Sequence, residues 1–122
     1  MRHVALFVDS LEACEQFYVQ LLGMEVEWRP DADNVYLTGG NDNLALHRAL
    51  APVGDDRSQR LDHIGFILAK IEHVDSWHDF LVAADVVIIA EPRTHRDGAR
   101  SFYCVDPAGT RVQMIWHPPL AG

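Results

Sequence analysis

Cysteine is scarce in this chain: Cys14 and Cys104 are the only two in 122 residues. No CxxC occurs and a disulfide scaffold is not indicated, so a reducing cytoplasm is the expected location and both thiols read as small buried hydrophobes. Long apolar runs are also missing. None approaches the roughly 20 residues of a membrane helix, and the opening residues lack the basic region and small-residue cleavage site of a signal peptide. Basic residues are outnumbered, with 10 Lys and Arg against 18 Asp and Glu and a formal net charge of −8. Nucleic acid and membrane surfaces are therefore not expected as partners. Neither a Gly-x-Ser-x-Gly elbow nor a phosphate-cradling glycine loop is present, and Gly39-Gly40 reads as a turn.

What is present suits a single compact domain with a real core: 48% apolar and 23% charged residues over 122 positions. Set against itself at an offset of 60, the chain pairs Val4 with Ile64, Leu6 with Phe66, Phe17 with Trp77, Leu21 with Leu81 and Val26 with Val86. Each half opens with an apolar β-branched strand, continues with helical spacing of apolar residues, and returns to strands. In the first half we expect a strand over 1–8, a helix over 11–22 with Ser10 as N-cap and Gly23 at its end, and strands over 24–28, 35–38 and 44–48. In the second half we expect a strand over 61–68, a helix over about 74–84, a strand over 86–90, and a hairpin of 101–105 with 110–116 across Asp106-Pro107-Ala108-Gly109. The expected fold class is α+β, two tandem βαβββ modules over 1–49 and 61–117 joined by a polar connector over 50–60. Residues Glu91–Arg100 are extra in the second module, and an insertion at one place in a repeat marks a candidate functional loop.

The stretches HVALFVDSLEACEQFYVQLLGM, HIGF and SFYCVDPAGTRVQMIW, in paired βαβββ modules, resemble the vicinal oxygen chelate superfamily. That superfamily includes glyoxalase I, bleomycin-resistance proteins, fosfomycin-resistance enzymes and extradiol dioxygenases. The resemblance implies a curved, partly open barrel-like sheet around a cavity, a homodimer, and a divalent metal ion (Zn, Ni, Mn, Co or Fe). The family's metal-ligand positions in the opening strands match His3 and His63. Its usual glutamate in the last strand of the second module is Gln113 here, and the matching position of the first module is Ala45. Resemblance to the fosfomycin-resistance enzymes also points to Arg93 as a cation near the substrate and to Tyr103 as a substrate-facing tyrosine, with Tyr36 as its repeat mate.

Strand alternation puts His3, Ala5 and Phe7 on one face, His63 and Gly65 on the equivalent face, Gln113 with Arg111 and Ile115, and Ala45 with His47. Two imidazoles and an oxygen ligand with open positions suit a divalent metal. An amide in place of a carboxylate removes a charge and a candidate base. His47 is the substitute ligand or base. The bland alternative for each histidine is a core imidazole bonded to backbone, and for Gln113 a strand-bridging amide. Arg93, Arg96 and Arg100 form a candidate anion site for a small-molecule substrate, or else pair with local acids such as Asp97 and Glu91. His73 and His78, five apart on the second helix, are expected to face solvent. His95 and His117 are not first choices, and Trp28, Trp77 and Trp116 read as core or interface anchors. The function expected is a metal-dependent enzyme of the glyoxalase and fosfomycin-resistance kind. The alternatives are a metal-free binding protein and, third, an extradiol-type dioxygenase.

Overall fold

The computed structural model describes residues 1–51 and 61–120. Apart from Leu50 and Ala51, the connector expected over 50–60 lies outside the described residues. The chain divides into two compact units, 1–55 and 56–122.

In the first unit, β1 (His3–Val8) leads to α1 (Leu11–Gln16), then β2 (Glu25–Asp31), β3 (Asn34–Thr38) and β4 (Asn43–Arg48). The sheet order is β1-β4-β3-β2, with β1 parallel to β4 and the other pairs antiparallel. Alternation sends Leu6, Val8, Val35, Leu37, Leu44 and Leu46 to one side, where they are buried with Leu11, Cys14, Phe17 and Tyr18 of the helical segment. Burying each of these larger apolar side chains contributes about 1.5–3 kcal/mol.

The helix is not regular to its expected end. Residues Phe17–Leu21 form a wider π turn, and the Leu22 N–H reaches back to the Phe17 carbonyl at 3.1 Å. The wider turn brings adjacent Phe17 and Tyr18 both into the core, packed edge to face at 4.9 Å. Gly23 closes the segment with φ 81°, as its place after the helix predicts. Ser10 does not cap the helix through its side chain. Its hydroxyl lies 3.5 Å from Asp9 Oδ1 instead.

The second unit repeats the topology with β5 (Ile64–Ile67), α2 (Glu72–Ala83), β6 (Ile88–Thr94), β7 (Arg100–Val105) and β8 (Arg111–Trp116), in the order β5-β8-β7-β6. Phe102, Cys104, Val112 and Met114 are buried, as are Val74 and Leu81 of α2. In the β7–β8 turn, Asp106 Oδ1 accepts the N–H groups of Ala108 and Thr110 at 2.9 and 2.8 Å. The fold class is thus α+β, with two βαβββ modules. No described helix is long and apolar enough to cross a membrane.

Three expectations change. Val26 pairs with Leu37, and the matching pair in the second unit is Ile88 with Cys104, so Val26 corresponds to Ile88 rather than Val86. The two helical segments differ in form and length, and the constant offset ends with them. Second, Glu91–Arg100 is not one loop: β6 continues through Thr94, a tight turn follows over 95–99, and Arg100 opens β7. Third, no tryptophan belongs to the buried core, which leaves the interface alternative. Trp28 is 58% exposed, and Trp77 and Trp116 are partly exposed.

Candidate metal and substrate site

The sheet face turned away from each helix carries the candidate residues. In the first unit the strand register sets His3 opposite Asn43, Ala5 opposite Ala45 and Phe7 opposite His47. β3 adds Tyr36 beside Ala45 and Asn34 beside His47, and β2 adds Trp28 beside Tyr36. In the second unit Gly65 lies opposite Gln113 and Ile67 opposite Ile115. Tyr103 flanks Gln113, Ser101 flanks Ile115, and β6 sets Ala90 beside Tyr103 and Arg93 beside Ser101. Register alone therefore matches Ala45 with Gln113, Tyr36 with Tyr103, and Asn34 with Ser101.

His3 and His63 are held alike. His3 Nδ1 lies 2.7 Å from Asn43 Oδ1, and the Asn43 amide nitrogen is directed at Glu27, 3.4 Å away. Oδ1 is thus the acceptor and His3 Nδ1 carries the proton. His63 Nδ1 lies 2.7 Å from Asp62 Oδ2, and a carboxylate only accepts. Asp62 is held below the usual carboxyl range, first by that hydrogen bond, against the opposing effect of burial. In both rings Nε2 is left as a lone-pair donor, the arrangement typical of metal-ligating histidine. The His63 ring also meets Tyr103 edge-on at 5.2 Å. Because β8 lies between β5 and β7, that contact spans the strand that carries Gln113.

Gln113 Nε2 donates to Ser101 Oγ at 3.1 Å. Its Oε1 turns toward Gly65, where a Cβ would lie 3.7 Å from it. His47 Nδ1 lies 2.6 Å from Asn34 Oδ1, whose amide nitrogen is taken by Asp31 at 2.8 Å. The His47 ring packs near Tyr36 (6.0 Å) and Phe7 (5.8 Å), and Tyr36 stacks on Trp28 at 5.2 Å.

These side chains fit the implied divalent ion in kind. His3 Nε2, His63 Nε2 and Gln113 Oε1 are neutral lone-pair donors whose other polar atoms are already engaged. Among the described residues no group of three or more His, Cys, Asp or Glu side chains gathers into a metal cage.

The three arginines do not form one cluster. Arg93 lies on the open face, paired with Ser101, whereas Arg100 pairs with Thr94 and so points the other way. There its Nε and Nη2 donate to both oxygens of Asp75 on α2, at 2.9 and 2.8 Å. That bidentate pair leaves Arg100 little capacity for a ligand. Arg96 sits exposed in the turn.

One residue outside the expected set belongs to this picture. Ser101 is only 2% exposed, and its Oγ lies 2.9 Å from His95 Nε2. A signal for Ser101 was available: a polar residue stands two before the tyrosine in both NVY and SFY. His78 does not simply face solvent, since its ring lies edge-on to Phe102 at 5.4 Å. Its Nε2 is 2.6 Å from Glu91 Oε2, out of hydrogen-bonding alignment.

A family model for the Glyoxalase/Bleomycin resistance protein/Dioxygenase superfamily matches residues 1–114. An uncharacterized protein of Pseudomonas aeruginosa is 30% identical over 128 residues, covering 98% of this chain and 90% of that protein. Among solved structures, lactoylglutathione lyase from Agrobacterium tumefaciens superposes with a TM-score of 0.80 at 23% identity, covering 100% of this chain and 96% of that one. A glyoxalase/bleomycin resistance protein/dioxygenase from Alicyclobacillus acidocaldarius gives 0.75 at 19% identity, covering 94% and 89%. At those identities the two structural likenesses speak to the fold.

Proposed function

Because the chain belongs to the glyoxalase, bleomycin-resistance and dioxygenase superfamily, we propose that it is a metal-dependent enzyme acting on a small, anionic, oxygen-bearing substrate, by isomerase, lyase or thiol-transfer chemistry. The observation that carries this reading is the shared orientation of His3 and His63. Each gives Nδ1–H to a neighbouring oxygen, Asn43 Oδ1 or Asp62 Oδ2, and keeps Nε2 for a ligand. In this reading His3, His63 and Gln113 hold the ion, which when bound supplies Lewis-acid polarisation of the substrate's oxygens.

The chain's other residues take the remaining roles. Gln113 cannot accept a proton from carbon, so the base is another group. His47 holds a lone pair at Nε2, fixed by Asn34 on the other ring nitrogen. The Tyr103 phenol is a hydrogen-bond donor beside His63 and Gln113. Arg93 is the anion anchor on the open face, and Tyr36 with Trp28 forms an apolar wall. The exposed apolar side chains of β1 and β2, with Phe7 at 70%, support a homodimer. The scarcity of cysteine supports a cytoplasmic setting.

A second reading, a metal-free small-molecule binder, draws support from the exposed Trp28–Tyr36 stack and from the uncharged donor set. The dioxygenase reading has least support, because it calls for a carboxylate where Gln113 stands. Metal analysis separates the first two. Protein prepared without chelators, and again after reconstitution with each candidate ion, is compared with His3→Ala and His63→Ala. The enzyme reading expects about one ion per chain, lost in either variant. No stoichiometric metal after reconstitution overturns it and leaves the binder.

A further inference from the structure

We propose that Asp31, at the end of β2, is the positioning residue that makes Nε2 the free lone-pair nitrogen of His47. The use of that nitrogen as a base rests on the proposed function. The tautomer does not, so the two can fail separately.

A neutral imidazole has one ring proton and two nitrogens, and its partners decide where that proton sits. His47 Nδ1 lies 2.6 Å from Asn34 Oδ1. Taken alone, that contact does not fix the tautomer, because a reversed amide would offer its nitrogen instead and send the proton to Nε2. Asp31 removes the ambiguity. Its Oδ1 lies 2.8 Å from Asn34 Nδ2, and a carboxylate only accepts. Asn34 therefore turns its nitrogen to Asp31 and its oxygen to His47, and Nδ1 carries the proton. Reversal would set the amide oxygen against the carboxylate. Along the run Asp31, Asn34, His47 every engaged donor meets an acceptor. His47 Nε2 makes no hydrogen bond among the described residues, and the rings of Phe7 and Tyr36 pack beside it.

The carboxylate is itself held by the backbone. Asp31 and Asn34 face each other across the Ala32–Asp33 turn, and the same Oδ1 accepts the Asp33 N–H at 2.8 Å. Those two bonds, that of Asp33 first, keep the Asp31 carboxyl below its usual range. It is therefore ionised at neutral pH and has no proton to give. Arg48, next to His47 on β4, ties the turn through Asp33 Oδ1 and the Ala32 carbonyl, at 2.8 and 3.2 Å. The second unit has no such device. Arg93 only donates, so its Nη2, 3.3 Å from His95 Nδ1, makes that nitrogen the acceptor. His95 Nε2 then donates to Ser101 Oγ at 2.9 Å. His95 holds the opposite tautomer, with both nitrogens engaged.

Imidazole 15N shifts of the metal-free protein at about pH 9, where imidazoles are neutral, read the tautomer directly. The His47 signals are identified by their loss in His47→Gln. Wild type should show a protonated Nδ1 and a bare Nε2. In Asp31→Ala the amide is free to turn. The ratio of the two tautomers should then fall about threefold to tenfold, one hydrogen bond's preference. Asp31→Asn keeps an oxygen where the Asp33 N–H holds it, and should restore the wild-type shifts. In an Asn34→Asp background, Asp31→Ala should leave His47 as it is, because a carboxylate beside Nδ1 accepts from either oxygen. Unchanged His47 shifts in Asp31→Ala overturn the proposal, and so does a loss that Asp31→Asn fails to restore. An equal change with and without Asn34→Asp would mean that Asp31 acts through the shape of the turn, and would overturn it too.

Discussion

In the first unit the row of residues crossing the sheet reads Ala5, Ala45, Tyr36, Trp28; in the second the same row reads Gly65, Gln113, Tyr103, Ala90. The tyrosine is common to both. At the centre the first unit has a methyl group, fully buried beneath its neighbours, and the second has an amide. At the edge the bulk is reversed, tryptophan against alanine. Duplicated strands have thus kept their register while the side chains have diverged. One face carries stacked aromatic surface, and the other carries a polar run of Gln113, Ser101 and His95 with an arginine at its side. The opening histidines did not diverge in kind, and each is still oriented through Nδ1, by an amide oxygen in one unit and a carboxylate in the other.

The comparison breaks most visibly in the cores. Phe102 occupies the place that Val35 holds in the first unit, and both are fully buried. Phe102→Ala should cost about 3–5 kcal/mol and Val35→Ala distinctly less, because it removes less volume. Urea unfolding measures both, and equal losses would mean that the two cores are not packed on the same plan. Next in size is the centre of the row. Gln113→Glu adds a charge to an uncharged donor set and should tighten zinc binding at least about tenfold, or ~1.4 kcal/mol. Gly65→Ala sets a methyl group in ordinary contact with Oε1, 3.7 Å away, and should weaken binding a few-fold with little loss of stability. Titration calorimetry reads both, and a Gln113→Glu protein with unchanged affinity would remove Gln113 from the donor set.

The smallest effect concerns the helix-to-sheet ties. Arg100 binds Asp75 of α2, and Arg48 of β4 binds Glu12 of α1. Both carboxyls are held below their usual range, in each case first by the arginine's hydrogen bond. Their stabilisation is therefore present above the unfolded carboxyl values of about 4 and is lost as pH falls through the lower folded values. Asp75 is half-exposed, so Asp75→Asn should cost less than about 1 kcal/mol at neutral pH. It should also flatten the dependence of the urea midpoint below pH 5. A midpoint with the same acid dependence as wild type would show that the tie contributes nothing.

The repeat was legible because a sheet with one covered face writes its burial as alternation, and the opening strands do so cleanly. Tyr36 and Tyr103 were matched correctly for the same reason. The second strands were misregistered because the two helical segments differ in form and length, which apolar spacing alone does not mark. Glu91–Arg100 read as a loop because the segment stood out as an insertion in the repeat. Pro92, however, lies on the edge strand β6 between the register shifts around Ala90 and Arg93, where its missing N–H breaks no regular pair. Once the segment is a strand, alternation separates Arg93 from Arg100, and the arginine cluster dissolves. Ser101 was passed over because its match to Asn34 in the repeat is a single polar position, and its bond to Gln113 emerges only when β7 and β8 are in register.

In the proposed site His3 and His63 offer Nε2 to a cation while Nδ1 stays protonated. Imidazole 15N chemical shifts, recorded while one equivalent of zinc is added, test it most directly. The Nε2 signals of His3 and His63 should move together to the metal-bound range. Their Nδ1 signals should remain those of protonated nitrogen, and His47, held by Asn34, should keep its shifts. Ligation through Nδ1, or a response at His47 with His63 unchanged, would contradict it.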